Sequence, residues 1–331
     1  MSKNKEGKDG VATIIDQHVT PELDLELGPK IREYKGFLAV IVSLIAIGAS
    51  LFHLYTAYFG AFFALIQRDI HWLFMGVLIF LLYPATRKSP RDKLPWYDVI
   101  CIAAVLYAGL YILIDMHNIV LRAGDPTSTD IVLGIITVLL VLEASRRTIG
   151  WALPIVAISA LLYAYFGPYM PGLLAHKGYS LRRIFPYQFL TTEGIYGTPL
   201  GVSATFVYLF ILFGSFLDKT GAGKFFIDLA FALTGSSQGG PAKSAIVSSG
   251  LLGTVSGSSV ANVVTTGTFT IPLMKRVGYE PHFAGAVEAA ASTGGQITPP
   301  VMGAAAFIMA EVLGVPYIEV AAAAAIPAIL Y

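Results

Sequence analysis

A succession of long runs almost without charge constrains this chain more than any other feature. Residues 37–66, 71–83, 97–114, 131–142, 151–166 and 200–217 are almost wholly apolar. In lipid each backbone N–H and C=O must find its partner inside the protein, so such runs close as helices. The composition agrees. Apolar residues make up 55% and charged residues 13%, against about 25% charged in soluble domains, and the mean hydropathy is +0.69. The reading is an all-α polytopic membrane protein. A net charge of +1 offers no basic excess for a phosphate backbone, which excludes a nucleic-acid partner. The single cysteine, Cys101, lies in an apolar run and supplies neither a disulfide nor a metal pair.

Residues 1–35 are polar, without the apolar core of a cleaved leader, and read as a cytoplasmic tail. The run 37–66 exceeds a bilayer at about 1.5 Å per residue, so it is expected to tilt or overhang, with Tyr55, Tyr58 and Phe59 in an interfacial belt. If the spans alternate from a cytoplasmic N-terminus, 17 of the 22 Lys and Arg residues fall on the cytoplasmic side, leaving Arg68, Arg122, Lys177, Arg182 and Arg183 on the other. That bias sets the orientation by the positive-inside rule. Trp72, Trp96 and Trp151, near segment ends, fit interface anchors.

Residues 234–314 differ: they are rich in Gly, Ser, Thr and Ala and nearly free of charge. Small residues let helices approach closely, but two places exceed what packing needs. "GTVSGSSVAN" at 253–262 separates two half-length apolar pieces, 244–252 and 263–274, and basic residues bracket the pair at Lys243, Lys275 and Arg276. Neither piece spans alone, so the pattern describes a re-entrant hairpin turning at 256–259 and entering and leaving on the cytoplasmic face. "GGQITPP" at 294–300 interrupts the apolar stretch 283–312 near its centre, where Pro299 and Pro300 remove backbone donors. Irregular backbone at membrane depth is tolerated only when buried in protein or lining a polar cavity. Freed carbonyls and hydroxyls suit a hard cation, and half-helix N-termini suit a carboxylate.

These residues resemble a known family. "GLLGTVSGSSVANVVTTGTFTIPLMKRVGY" followed by "GGQITPPVMGAAAFIMAE" is similar to the large membrane subunit of tripartite ATP-independent periplasmic (TRAP) transporters, and the likeness covers residues 151–331. The preceding block, 36–147, is placed as the family's small four-helix subunit would be, so the chain resembles the fused permease associated with TAXI solute receptors. Residues 148–331 then correspond to the N-terminal half of the large subunit, with the second half of the inverted repeat expected beyond.

The resemblance implies a helical scaffold carrying the first half of an elevator-type transport domain, in a bacterial or archaeal inner membrane. It also implies uptake of organic acids driven by sodium or protons, with a TAXI-type periplasmic solute-binding protein and membrane lipid as partners and no cofactor other than the coupling ion. Carried over by position, Gly253, Ser256, Gly257, Ser258, Asn262, Gly294, Gly295, Thr298 and Pro299 are the expected cation site. Ser259, Thr265, Thr266 and Gln296 are the expected substrate contacts. Many large subunits read Pro-Pro-Ser where this chain has Pro299, Pro300 and Val301, so a hydroxyl is missing at 301.

Glu288, a carboxylate in an apolar helix, is a candidate for proton coupling, for a structural ion pair or for a position near the cytoplasmic interface. Asp115 and His117 read as solvated, Glu143 with Arg146 as a helix-surface ion pair, His53 as a hydrogen-bonded packing residue, and "GAGK" at 221–224 as a turn rather than a phosphate loop. The alternatives to a transporter are a channel or scaffold protein, or an intramembrane serine hydrolase using Ser256 or Ser258. The hydrolase needs a base, and His282, after the hairpin, falls at the start of the next helix rather than at the tip.

Overall fold

The computed structural model describes residues 31–86, 88–122 and 124–331, and among them every regular element is helical. The tail residues 1–30 and Arg87, with the charges read there, lie outside the described residues. Four helices come first: α1 (Phe37–Phe59), α2 (Ala64–Leu82), α3 (Trp96–Leu121) and α4 (Ser128–Thr148). Then follow α5 (Ala152–Phe166), α6 (Leu181–Leu190), and a continuous run of α7 (Thr198–Val202), a π-helical turn (Ser203–Val207) and α8 (Tyr208–Lys219). The remainder is α9 (Ala222–Thr234), α10 (Gly240–Ser256), α11 (Ser259–Arg276), α12 (Pro281–Gly294), α13 (Ala304–Leu313) and α14 (Tyr317–Leu330). Six helical stretches are long and apolar enough to cross a membrane, the last of them Thr198–Leu217.

Run 37–66 is not one helix. The chain breaks after Phe59, where Gly60 adopts φ 101 and its N–H closes the last turn on Thr56 O at 3.1 Å. Gln67 then ties the break down, donating to Thr56 Oγ1 at 3.2 Å and accepting from Phe62 N at 3.4 Å. A left-handed glycine thus replaces the expected tilt with a tight reversal.

The core of the first block joins α2, α3, α4 and α6 through Phe80, Val105, Ile112, Leu133 and Phe189. Gly134 lets α6 lie against α4, since a Cβ there would come within 2.7 Å of Phe185 O. One end of the block is locked by charge. Asp98 is buried between Arg32 at 2.5 Å and Arg147 at 2.6 Å, and Arg32 also donates to the carbonyls of Phe80 and Leu81 at the end of α2. The last tail residues are therefore docked into the bundle rather than solvated. Glu143 pairs with Arg146 as expected and also with Arg147, each at 2.7 Å. At the other end, Thr127 and Asp130 form a capping box on α4. Asp115 departs from the solvated reading: it pairs with Arg122 at 2.7 Å, while His117 is exposed. Of the three tryptophans, Trp96 and Trp151 are exposed but Trp72 is buried in the core, so it is no interface anchor.

Candidate functional site

Residues 240–276 fold as the expected hairpin, with longer arms than the apolar pieces alone suggest, because Pro241 opens α10 early and small residues continue it. The arms are antiparallel neighbours, and their open ends meet: a Cβ on Gly239 would lie 3.6 Å from the Tyr279 hydroxyl. At the tip Gly257 turns the chain at φ 59, and Ser258 caps α11 by accepting from Ala261 N at 3.3 Å. Of the GAGK segment only Gly221 turns the chain, at φ 87, and Ala222–Lys224 already form the first turn of α9.

The second interruption is equally real. α12 ends at Gly294, one 3₁₀ turn follows (Gly295–Ile297), Thr298 is extended, and helix resumes at Ala304. The Pro299–Pro300 bond is cis. Tyr317 on α14 holds the far side of this break, its hydroxyl donating to Pro300 O at 2.9 Å and Val301 O at 2.5 Å.

Tip and break are pressed together. Val301 N donates to Thr254 O at 3.3 Å, and Gln296 Nε2 donates to Ser259 Oγ at 2.8 Å. Two glycines make the approach possible. A Cβ on Gly295 would sit 3.0 Å from Gly253 Cα and 2.8 Å from Asn262 Nδ2, and a Cβ on Gly253 would reach Gly295 O at 3.0 Å. Met302, at φ 55, is a non-glycine residue held in the left-handed region with its carbonyl against Gly257. Such backbone costs about 1 kcal/mol or more and persists only where surrounding contacts fix it.

Polar oxygens collect at this junction. Asn262 is fully buried: its Nδ2 donates to Ser249 O at 2.8 Å, while its Oδ1 has no protein partner among the described residues. Ser256 Oγ is likewise buried without one. A buried polar atom left unpaired costs about 1–3 kcal/mol, so two in one tip form an arrangement that a bound cation would relieve.

One helical layer away, Glu288 of α12 is fully buried inside a cage of hydroxyls. Its Oε1 accepts from Ser249 at 3.1 Å, from Ser292 at 3.0 Å and from Thr266, and its Oε2 accepts from Thr270 at 2.5 Å. No Lys, Arg or His forms an ion pair with it among the described residues, so the ion-pair reading of Glu288 fails. Ser249 joins the two centres, its carbonyl holding Asn262 and its hydroxyl holding Glu288.

The sequence-predicted residues therefore divide. Gly253, Ser256, Gly257, Asn262, Gly294, Gly295 and the turn at Thr298 and Pro299 lie on the two interruptions, with Thr298 Oγ1 bonded to Gly294 O at 2.9 Å. Ser258 is exposed and occupied as a helix cap. Ser259 and Gln296 meet each other; Thr265 bonds its own helix at Ala261 O, and Thr266 belongs to the Glu288 cage. His282 pairs with Glu280 at 3.1 Å on the exposed face. Ser249, Thr254, Thr270, Ser292, Met302 and Tyr317 were not foreseen. Only the i, i+4 spacings of Thr266 with Thr270 and of Glu288 with Ser292 hinted at them, by placing each pair on one helix face.

Residues 136–331 match the family described as the tripartite ATP-independent periplasmic transporter, DctM component. The chain belongs to this family. Among similar proteins is the C4-dicarboxylate TRAP transporter large permease protein DctM of Vibrio cholerae, 34% identical over 128 residues, or 39% of this chain and 27% of that protein. Its namesake from Rhodobacter capsulatus is 35% identical over 91 residues, 28% of this chain and 21% of that protein. The isethionate TRAP transporter permease protein DctMQ of Oleidesulfovibrio alaskensis is also 35% identical over 91 residues, 28% of this chain and 14% of that protein. The chain thus aligns with about a quarter or less of the length of these relatives. No solved structure matches. This TRAP-family chain is a multi-pass membrane protein and a transporter component, and its two interrupted helices fall inside the matched region.

Proposed function

We propose that this chain supplies the first coupling-ion site, and part of the substrate site, of an inner-membrane uptake system of elevator type. The solute is an organic acid handed over by a periplasmic solute-binding protein of the TAXI kind. The N-terminus is cytoplasmic, and residues 36–147 act as the small-subunit scaffold against which the hairpin moves. The carrying observation is the seating of the hairpin tip on the broken helix with Ser256 Oγ and Asn262 Oδ1 buried and unpaired. Oxygens left unpaired at an interrupted helix are what a partly dehydrated cation needs. We read the exposed Gln296 and Ser259, bonded to each other beside this junction, as the groups that meet a substrate carboxylate. The relatives named for C4-dicarboxylates support an acidic solute.

The hydroxyl cage favours a second reading of the coupling ion. Glu288 has four hydroxyl donors and no basic partner among the described residues, so a proton bound there would neutralise a buried charge, with Thr266 or Thr270 turning its hydrogen to the backbone carbonyl it also faces. The test is uptake by the intact permease in proteoliposomes with its binding protein, under a sodium gradient and a proton gradient imposed separately. Sodium-driven uptake that survives Glu288→Gln assigns the tip. Proton-driven uptake abolished by Glu288→Gln assigns the cage. Uptake indifferent to both gradients refutes the proposal.

A further inference from the structure

A second polar chain runs through the scaffold, far in sequence from the hairpin. His53 of α1 and His71 of α2 are both buried, with His53 Nε2 2.8 Å from His71 Nδ1. His53 Nδ1 lies 2.6 Å from Ala49 O, and His71 Nε2 lies 3.1 Å from Ser203 Oγ, the first residue of the π-helical turn. The Tyr208 ring stacks on His53 at 3.9 Å between centroids, and its hydroxyl bonds Ser50 at 3.1 Å.

Proton positions follow from the partners. A carbonyl only accepts, so His53 Nδ1 carries hydrogen; in the neutral ring His53 Nε2 is then bare and accepts from His71 Nδ1–H. That leaves His71 Nε2 bare, accepting from the Ser203 hydroxyl. One added proton has a single place to land, His71 Nε2, and its arrival reverses the last bond, so that the imidazolium donates to Ser203 Oγ. The Ser203 hydrogen must then turn to a carbonyl of the preceding turn. A second proton would set two N–H groups head to head across 2.8 Å. The Tyr208 ring stacks on His53 and lies edge to face with His71 at 6.1 Å, so it packs against both members of the pair. Of the other charged groups nearby, Arg68 donates to Tyr196 O at 2.7 Å, and Asp69 accepts from the Tyr196 hydroxyl at 2.9 Å through Oδ1, while its buried Oδ2 has no protein partner among the described residues. Of the acids and bases of α3 and α4, Asp98, Asp115, Asp130, Glu143, Arg146 and Arg147 are held in their own ion pairs, and His117 is exposed.

We propose that His53, His71 and Ser203 form a one-proton binding site at the seam between α1, α2 and the π-turn, distinct from the hairpin site. π-turns recur at functional positions, and this one leads through α8 to the hairpin arm α10. Binding a proton therefore changes the contact between the four-helix block and the run that carries the hairpin. This inference stands independently of which ion the hairpin binds.

The test is a titration of the intact permease in lipid nanodiscs with ¹⁵N-labelled histidine, following ring nitrogens from pH 4 to 9. The expected result is one shared transition of the His53–His71 pair, taking up a single proton. Ser203→Ala should lower its midpoint by up to about one pH unit, the worth of one charge-assisted hydrogen bond. Glu288→Gln should leave it in place. Two independent transitions, no transition in that range, or a midpoint indifferent to Ser203→Ala would each overturn the proposal.

Discussion

Gly253→Ala is the perturbation whose effect the structure sizes best. A Cβ at 253 has no room: it would overlap Gly295 Cα and lie 3.0 Å and 3.1 Å from Gly295 O and C, and these are backbone atoms that no rotamer change can move. Restoring ordinary contact needs a shift of tip from break of about 1 Å, a displacement that costs about 1–3 kcal/mol in a packed interior. Alanine in a helix otherwise gains up to about 1 kcal/mol over glycine. The control is Gly250→Ala, one turn earlier on α10, where an added Cβ meets nothing within 4 Å. It receives the propensity gain alone. Both variants, purified in nanodiscs, are compared by thermal unfolding with and without sodium. Gly250→Ala should match or exceed the parent. Gly253→Ala should need about tenfold more cation for the same stabilisation, if about 1.4 kcal/mol of the strain falls on the bound state. Identical cation dependence in the two variants would refute the idea that glycine at 253 serves the junction.

Two further outcomes follow from the geometry. Asp98→Ala strands the buried guanidinium groups of Arg32 and Arg147 and should cost about 3–5 kcal/mol in unfolding free energy, while a Thr127→Ala cap deletion at the other end of the block should cost only about 1 kcal/mol; equal losses would contradict this ranking. Cysteines at positions 243 and 276 should both be labelled from one side of the membrane by an impermeant reagent, because the hairpin's open ends meet near Gly239 and Tyr279, and labelling from opposite sides would rule the hairpin out.

The membrane spans and both interruptions were legible because they rest on local chemistry. Uncharged length marks a span, and glycine, proline and hydroxyl clusters mark a break within one. What depends on helix rotation was not legible. Gly60 lies in a run with no charged residue to mark a break, and its left-handed φ reveals the reversal there. Trp72 sits near a segment end as an interface anchor would, but its face of α2 points into the core. The Glu288 cage draws Ser249 and Thr266 from two other helices, and the His53–His71 contact joins two helices across a turn the apolar pattern conceals. The junction itself was half visible: the sequence marked both partners, and the contact between Gly253 and Gly295 appears only when they are folded together.

The central claim is that the hairpin tip and the broken helix bind the coupling cation, and Ser256→Ala tests it most directly. Ser256 Oγ is buried without a protein partner, so its removal deletes no hydrogen bond and should leave unfolding without cation unchanged or slightly more costly. Sodium affinity, measured by calorimetry on the nanodisc-embedded permease, should nevertheless fall about fivefold or more, equivalent to about 1 kcal/mol. Wild-type sodium affinity in a folded Ser256→Ala variant would contradict the account.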